Sequence, residues 1–86
     1  LQNEIHVFPN PNYGYLVYIK AGNLTSGEAH VTTYSFDSAI AVSEDVSFNG
    51  QNASIQTNKL IQGIYVITVQ DKTTGMRSTT RYVHMD

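Results

Sequence analysis

The sequence predicts an all-β chain, an antiparallel sandwich of about seven short strands with little or no helix. Three observations carry that expectation. From Ile64 to Val69 every residue is β-branched or aromatic, side chains that suit a pleated, packed surface and lose rotamer freedom in a helix. Alternating apolar and polar runs recur along the chain, with turn signals roughly every 8 to 12 residues. Finally, no window places apolar residues at helical spacing over more than about two turns.

Taken in order, residues 4–8 (EIHVF) alternate, with Ile5 and Val7 on one side and His6 and Phe8 on the other. The PNPNYG segment that follows forms a rigid corner. Pro9 and Pro11 fix their own φ and extend the residues before them, while Asn10, Asn12 and Gly14 suit tight turning. Residues 15–19 (YLVYI) make a second strand, with Leu16 and Tyr18 opposite Tyr15, Val17 and Ile19, and AGNLTSGE is a loop. The third strand, 28–36, alternates Val31 and Thr33 with His30, Thr32 and Tyr34 until Asp37 and Ser38 interrupt it. Residues 40–46 form a fourth, after which Phe48 leads into an Asn49-Gly50 hairpin signal and a short fifth strand over 53–57.

The sixth strand, 64–69, is the one the others are organised around. Gly63 supplies backbone freedom at its start. Tyr65, Ile67 and Val69 share one face and Ile64, Val66 and Thr68 the other, so both faces carry apolar groups and the strand is central. Asp71 to Gly75 then turns the chain into an antiparallel partner over 76–84, a terminal hairpin. Seven strands in this length fit an immunoglobulin-like sandwich, one that lacks the Cys pair and Trp of antibody domains.

Composition narrows the function. A chain of 86 residues is a single domain (1–86) with modest stability and little room for an enclosed cavity. A net charge of -2, with no Lys/Arg cluster, argues against nucleic acid and against an anionic membrane face as partner. The absence of cysteine excludes disulfides and thiolate metal sites. No apolar run approaches the ~20 residues of a transmembrane helix. The chain starts without Met or a leader-like segment, so it is expected to be the carboxyl-terminal part of a longer exported protein whose signal lies upstream.

Candidate chemistry is sparse. None of His6, His30 and His84 has another His at i, i+2 spacing on one strand face, and His84 and Asp86 lie at a chain end expected to fray. Ser, His and Asp all occur, yet no GxSxG elbow is present, and Glu44 and Asp45 point to opposite faces of their strand. No catalytic residue, metal or cofactor is expected, and the protein reads as a non-enzyme. The six tyrosines are read as core edges and corners, with Tyr13 and Tyr15 as the exceptions. Asn23-Leu24-Thr25 and Asn52-Ala53-Ser54 fit the N-glycosylation sequon.

In combination, VFPNPNYG near the start, LIQGIYVITVQD with TTG after it, and an ending with Arg81, Tyr82 and Val83 resemble the carboxyl-terminal sorting domain of the type IX secretion system, type A. The resemblance spans nearly the whole chain. Pro9, Asn10, Pro11 and Gly14 fall on the family's PNP corner. Leu60, Gly63, Tyr65 and Val69 fall on its L-x-x-G-x-Y strand start, Gly75 on its last hairpin turn, and Arg81, with Tyr82 and Val83, on its ending. The middle departs from the family pattern, because VTTYSFDSA keeps Val31 and Tyr34 but has Ser38 where a glycine is usual. Asp37-Ser38-Ala39 also resembles a short bacterial O-glycosylation site.

The resemblance implies an address rather than a catalyst. It implies export to the periplasm, recognition by an outer-membrane translocon, removal by a cell-surface sortase, and a cargo attached on the amino-terminal side. The cell surface or medium is then the destination. Unpaired sheet edges suit such recognition, and they also suit an edge-strand dimer; the terminal hairpin is expected to present one. The competing expectation is an immunoglobulin-like module that binds carbohydrate or protein through Tyr13, Tyr15 and Tyr18.

Overall fold

A computed structural model describes residues 5–22, 24, 27–37 and 39–85. Among them are seven strands and no helix: β1 (Ile5–Phe8), β2 (Leu16–Ala21), β3 (Glu28–Ser35), β4 (Ile40–Ser47), β5 (Asn52–Gln56), β6 (Gly63–Asp71) and β7 (Arg77–His84). They form two antiparallel sheets, β1-β2-β5 and β4-β3-β6-β7. The chain changes sheet after β2, β4 and β5, which interleaves the layers as in immunoglobulin-like sandwiches.

The alternation in the sequence decides what each sheet buries. Ile5, Val7, Val17, Ile19, Ala21 and Ile55 point inward from the three-stranded sheet. They meet Ala29, Val31, Tyr65, Ile67, Val69 and Tyr82 from the four-stranded one, with Phe48 and Leu60 completing the core. β6 is central, as its double-sided pattern requires, lying between β3 and β7.

Some boundaries differ from expectation. β2 begins at Leu16 and runs to Ala21, which leaves Tyr15 outside the strand with an exposed side chain. β5 begins at Asn52 and ends at Gln56; Thr57 leaves the ladder but stays buried, donating its amide to Tyr15 O at 2.7 Å and its hydroxyl to Gly14 O at 3.3 Å. The turn between β4 and β5 is closed by reciprocal bonds between Asn49 and Asn52, with Gly50 at φ 65°. Glu4, Asn23, Thr25, Ser38 and Asp86 lie outside the described residues. With them go the first sequon, the Ser38 substitution and the His84–Asp86 pair.

After β3, Asp37 bonds to residues on either side of it. The Asp37 carboxylate accepts the Ser35 hydroxyl and the Ala39 amide, and Ser35 N donates to Ala39 O at 2.8 Å. These bonds, the Ser35 hydroxyl first, hold the Asp37 carboxyl below the usual carboxylate range. A side-chain oxygen that accepts the amide two residues on is an Asx-type arrangement.

Candidate functional site

The corner between β1 and β2 is fastened to the last strand. Both X-Pro bonds in it, Phe8-Pro9 and Asn10-Pro11, are cis. The Asn10 side chain lies across the outer edge of β7: its Nδ2 donates to Arg81 O at 2.9 Å, and its Oδ1 accepts from Val83 N at 2.9 Å. Asn12 continues the pattern with its backbone, donating to Val83 O at 2.9 Å and accepting from Met85 N at 2.9 Å. A side-chain amide has the donor and acceptor spacing of a peptide group, so Asn10 substitutes for one residue of an added strand. Asn12 makes the next parallel bridge, to His84.

Asn12 also organises the corner from within. It is 2% exposed; its Oδ1 accepts from Gly14 N at 2.9 Å, and its Nδ2 donates to Leu16 O at 3.0 Å. This is the i to i+2 bond of an Asx turn. Asn12 was legible only as a turn former; that it reaches the end of the chain is a long-range fact that local pattern does not carry.

Around this clasp the predicted residues fall into two groups. Pro9, Asn10, Pro11 and Gly14 form the corner, and Arg81, Tyr82 and Val83 are the β7 segment it grips. Tyr65 joins them beneath, its ring 6.3 Å from that of the fully buried Tyr82. The Tyr65 hydroxyl donates to Ile61 O at 2.6 Å, four residues upstream, in the manner of the tyrosine corner of immunoglobulin-like sandwiches, and Leu60 packs into the core just before it. Val69 and Gly75 lie at the opposite end of the β6–β7 hairpin: Val69 is core, and Gly75 sits at φ 78° in the turn, donating its amide to Asp71 O at 2.8 Å.

Two expectations need correction here. Gly63 has no left-handed backbone, and a Cβ added to it would meet only ordinary contacts, the nearest being Tyr65 Cε1 at 3.8 Å. Neither conformation nor space demands glycine there. Second, β7 does not present a free edge throughout, because from Arg81 to Met85 its outer backbone is taken by Asn10 and Asn12. The same bonds hold the backbone as far as Met85.

Beneath the clasp, His84 is buried and its Nδ1 lies 2.8 Å from the Tyr82 hydroxyl. Burial raises the Tyr82 phenol above its ordinary value. No group of three or more His, Cys, Asp or Glu able to hold a metal occurs among the described residues.

Two apolar surfaces flank the corner. Tyr13, Tyr15, Leu16, Tyr18 and Phe8 are exposed on and beside the three-stranded sheet, with Phe8 stacked on Tyr18 at 5.8 Å. The reading of tyrosines as core therefore fits Tyr65 and Tyr82 but fails for Tyr18, whose side of β2 faces out. On the other sheet, Ile64 and Val83 pair across β6–β7, and Phe36 (84% exposed), Ile61 and Ile64 line a shallow depression of about 450 Å³. Apolar groups left exposed in this number mark a contact surface more often than they occur by accident.

The fold and its clasp define a β-sandwich domain whose first corner and last strand form one unit. The profile of the family described as secretion system C-terminal sorting domain matches residues 6–83, and the chain belongs to that family. No curated protein and no solved structure matches it. A domain of this kind is a type IX sorting signal, directing export toward the cell surface or the extracellular space.

Proposed function

We propose that this domain delivers an amino-terminally attached cargo from the periplasm through the type IX outer-membrane translocon, and that a cell-surface sortase then removes it. The observation that supports this best is the clasp. It joins the two motifs that lie farthest apart in the sequence, the Pro9–Gly14 corner and the Arg81–Val83 ending, into one surface bordered by Ile64, Ile61 and Phe36. A translocon component reading that surface would recognise a shape that only the folded domain has. The role asks for no cofactor and no reaction by the domain. Any edge-strand dimer would run through an edge that no described strand pairs, that of β4 or β5 among them, rather than through the clasped part of β7.

The test is a transfer experiment. Residues 1–86 are fused to the end of a periplasm-targeted fluorescent protein in a bacterium that has this system, beside a fusion ending at Thr74 and one carrying Arg81→Glu. Arg81 is exposed on β7 and its side chain faces away from the core, so the charge reversal leaves the clasp intact. Surface delivery of the full fusion, with loss on truncation, supports the proposal; periplasmic retention of a folded full-length fusion overturns it. Normal delivery of the Arg81→Glu fusion would remove that side chain from the determinants.

The exposed strip of Tyr13, Tyr15, Tyr18 and Phe8 favours a second reading, a module that stacks on sugar rings. Glycan-array binding abolished by Tyr15→Ala would support it.

A further inference from the structure

Outside the clasp, three side chains on the open face of the β3–β4 pair stand in a connected row. His30 Nδ1 lies 2.8 Å from Asp45 Oδ1, and His30 Nε2 lies 2.6 Å from Ser43 Oγ. Neither serine nor carboxylate is near His30 in sequence; the hairpin register brings them there, placing His30 opposite Asp45 and Thr32 opposite Ser43.

The phase of the ladder makes this contact close. Phe48 N donates to Gly27 O at 2.6 Å and Lys72 N to Glu28 O at 3.2 Å, so Gly27 faces β4 and Glu28 faces β6. By alternation, Ala29–Val46 and Val31–Glu44 exchange the backbone bonds, and His30–Asp45 and Thr32–Ser43 are the non-hydrogen-bonded pairs. In such pairs the Cα atoms stand about 4.5 Å apart and the side chains meet most closely. The same alternation turns the amides of Ser43 and Asp45 outward, off the edge of the sheet.

Protonation follows from the partners. Lys72 Nζ lies 3.5 Å from Asp45 Oδ2, and the His30 bond and the Lys72 charge, in that order, hold the Asp45 carboxyl below its usual range. An ionised carboxylate only accepts, so Nδ1 carries a proton, and in the neutral form of the ring Nε2 offers its lone pair to the Ser43 hydroxyl. Gln70, beside His30 on β6, adds no charge. A hydroxyl facing a neutral imidazole that a carboxylate orients is the arrangement that activates serine on unrelated folds.

We propose that Ser43 is a nucleophilic serine that accepts acyl groups from small activated esters, with His30 as its general base and Asp45 as the residue that positions His30. Ser43 Oγ bonds to the ester carbonyl carbon while its proton passes to His30 Nε2. The bond from that carbon to the leaving oxygen then breaks, and the leaving oxygen takes the proton from His30, giving acyl-Ser43 and a free alcohol. The Ser43 amide, turned outward from the ladder, is a backbone donor open to the developing oxyanion. The site is open to solvent and has no walls to orient a peptide, which restricts it to donors with good leaving groups, such as aryl esters. The sorting role neither requires nor excludes this chemistry.

The experiment treats the folded protein with p-nitrophenyl acetate and maps acetylation by peptide mass spectrometry, with Ser54, an exposed serine on β5, as the internal reference. General-base assistance is worth about 100-fold or more, so Ser43 is expected to be acetylated roughly 100 times faster than Ser54. His30→Gln abolishes that excess and Asp45→Asn reduces it. In the unaltered protein the Ser43 rate rises with pH along the titration curve of His30 followed by NMR, a readout that needs no variant to fold. Equal rates at Ser43 and Ser54, an unchanged rate in His30→Gln, or acetylation of His30 or Lys72 in place of Ser43 would each overturn the proposal.

Discussion

Replacing Asn10 by Ala removes both side-chain bonds to β7 and leaves the Arg81 carbonyl and Val83 amide without a protein partner. Both are at an exposed edge, so water takes over, and each bond is worth its net value, near 1 kcal/mol, rather than the full penalty of a buried orphan. The expected loss is about 1–2 kcal/mol. For a domain of this size that lowers Tm by roughly 5–15 °C. The loss is also local. Val83 amide exchange should accelerate by about tenfold while amides of β3 and β6 follow only the global change. Asn10→Asp separates the two bonds, because a carboxylate can accept from Val83 but sets an oxygen against the Arg81 carbonyl. It should be less stable than the Ala variant at neutral pH and recover part of the difference as acid restores a donor. Thermal melts and hydrogen exchange on the three proteins decide the matter: an Ala variant that melts with the parent and keeps Val83 protected would show that Asn10 merely lies beside β7.

Three further outcomes follow from the geometry. Tyr65→Phe deletes the bond to Ile61 O while keeping the ring in the core, and should cost about 1 kcal/mol in urea unfolding. Gly75→Ala forces a left-handed conformation on an L residue and should cost about 1–2 kcal/mol, whereas Gly63→Ala should stay within about 0.5 kcal/mol, a contrast the same urea series measures. The folded protein holds the Tyr82 proton more tightly than the unfolded chain does. That contribution is whole below about pH 10, the unfolded value, and declines as pH rises through the raised folded value; urea midpoints should therefore fall above about pH 10.

What the sequence disclosed and what it hid divide along a physical line. Strand faces were legible because side chains alternate strictly: Tyr65, Ile67 and Val69 had to share the core, and Ile5 and Val7 had to oppose His6 and Phe8. The PNPN corner was legible as a corner because proline and asparagine act on their own backbone. Its attachment to Arg81 and Val83 was not, since nothing local in residues 9–12 specifies a partner more than seventy positions away. The row of Ser43, His30 and Asp45 was hidden for a similar reason, as it exists only once the hairpin register is fixed. Gly63 is a different case: glycine there marks a family position, yet the backbone does not need it.

The clasp also bears on the order in which the domain can form. Synthesis and membrane export both proceed from the amino end, and the groups that Asn10 and Asn12 require, from Arg81 to Met85, are among the last of these 86 residues to arrive. A nascent chain holding everything through β6 has its corner residues but nothing to fasten them to, and β7 is also missing from the ladder beside β6. Closing so long a loop yields no contact until the far end is present. A receptor that reads the fastened corner would therefore pass over chains that stop short of β7 or are clipped before it without any separate inspection, and the folded address would double as proof that the chain was made through β7.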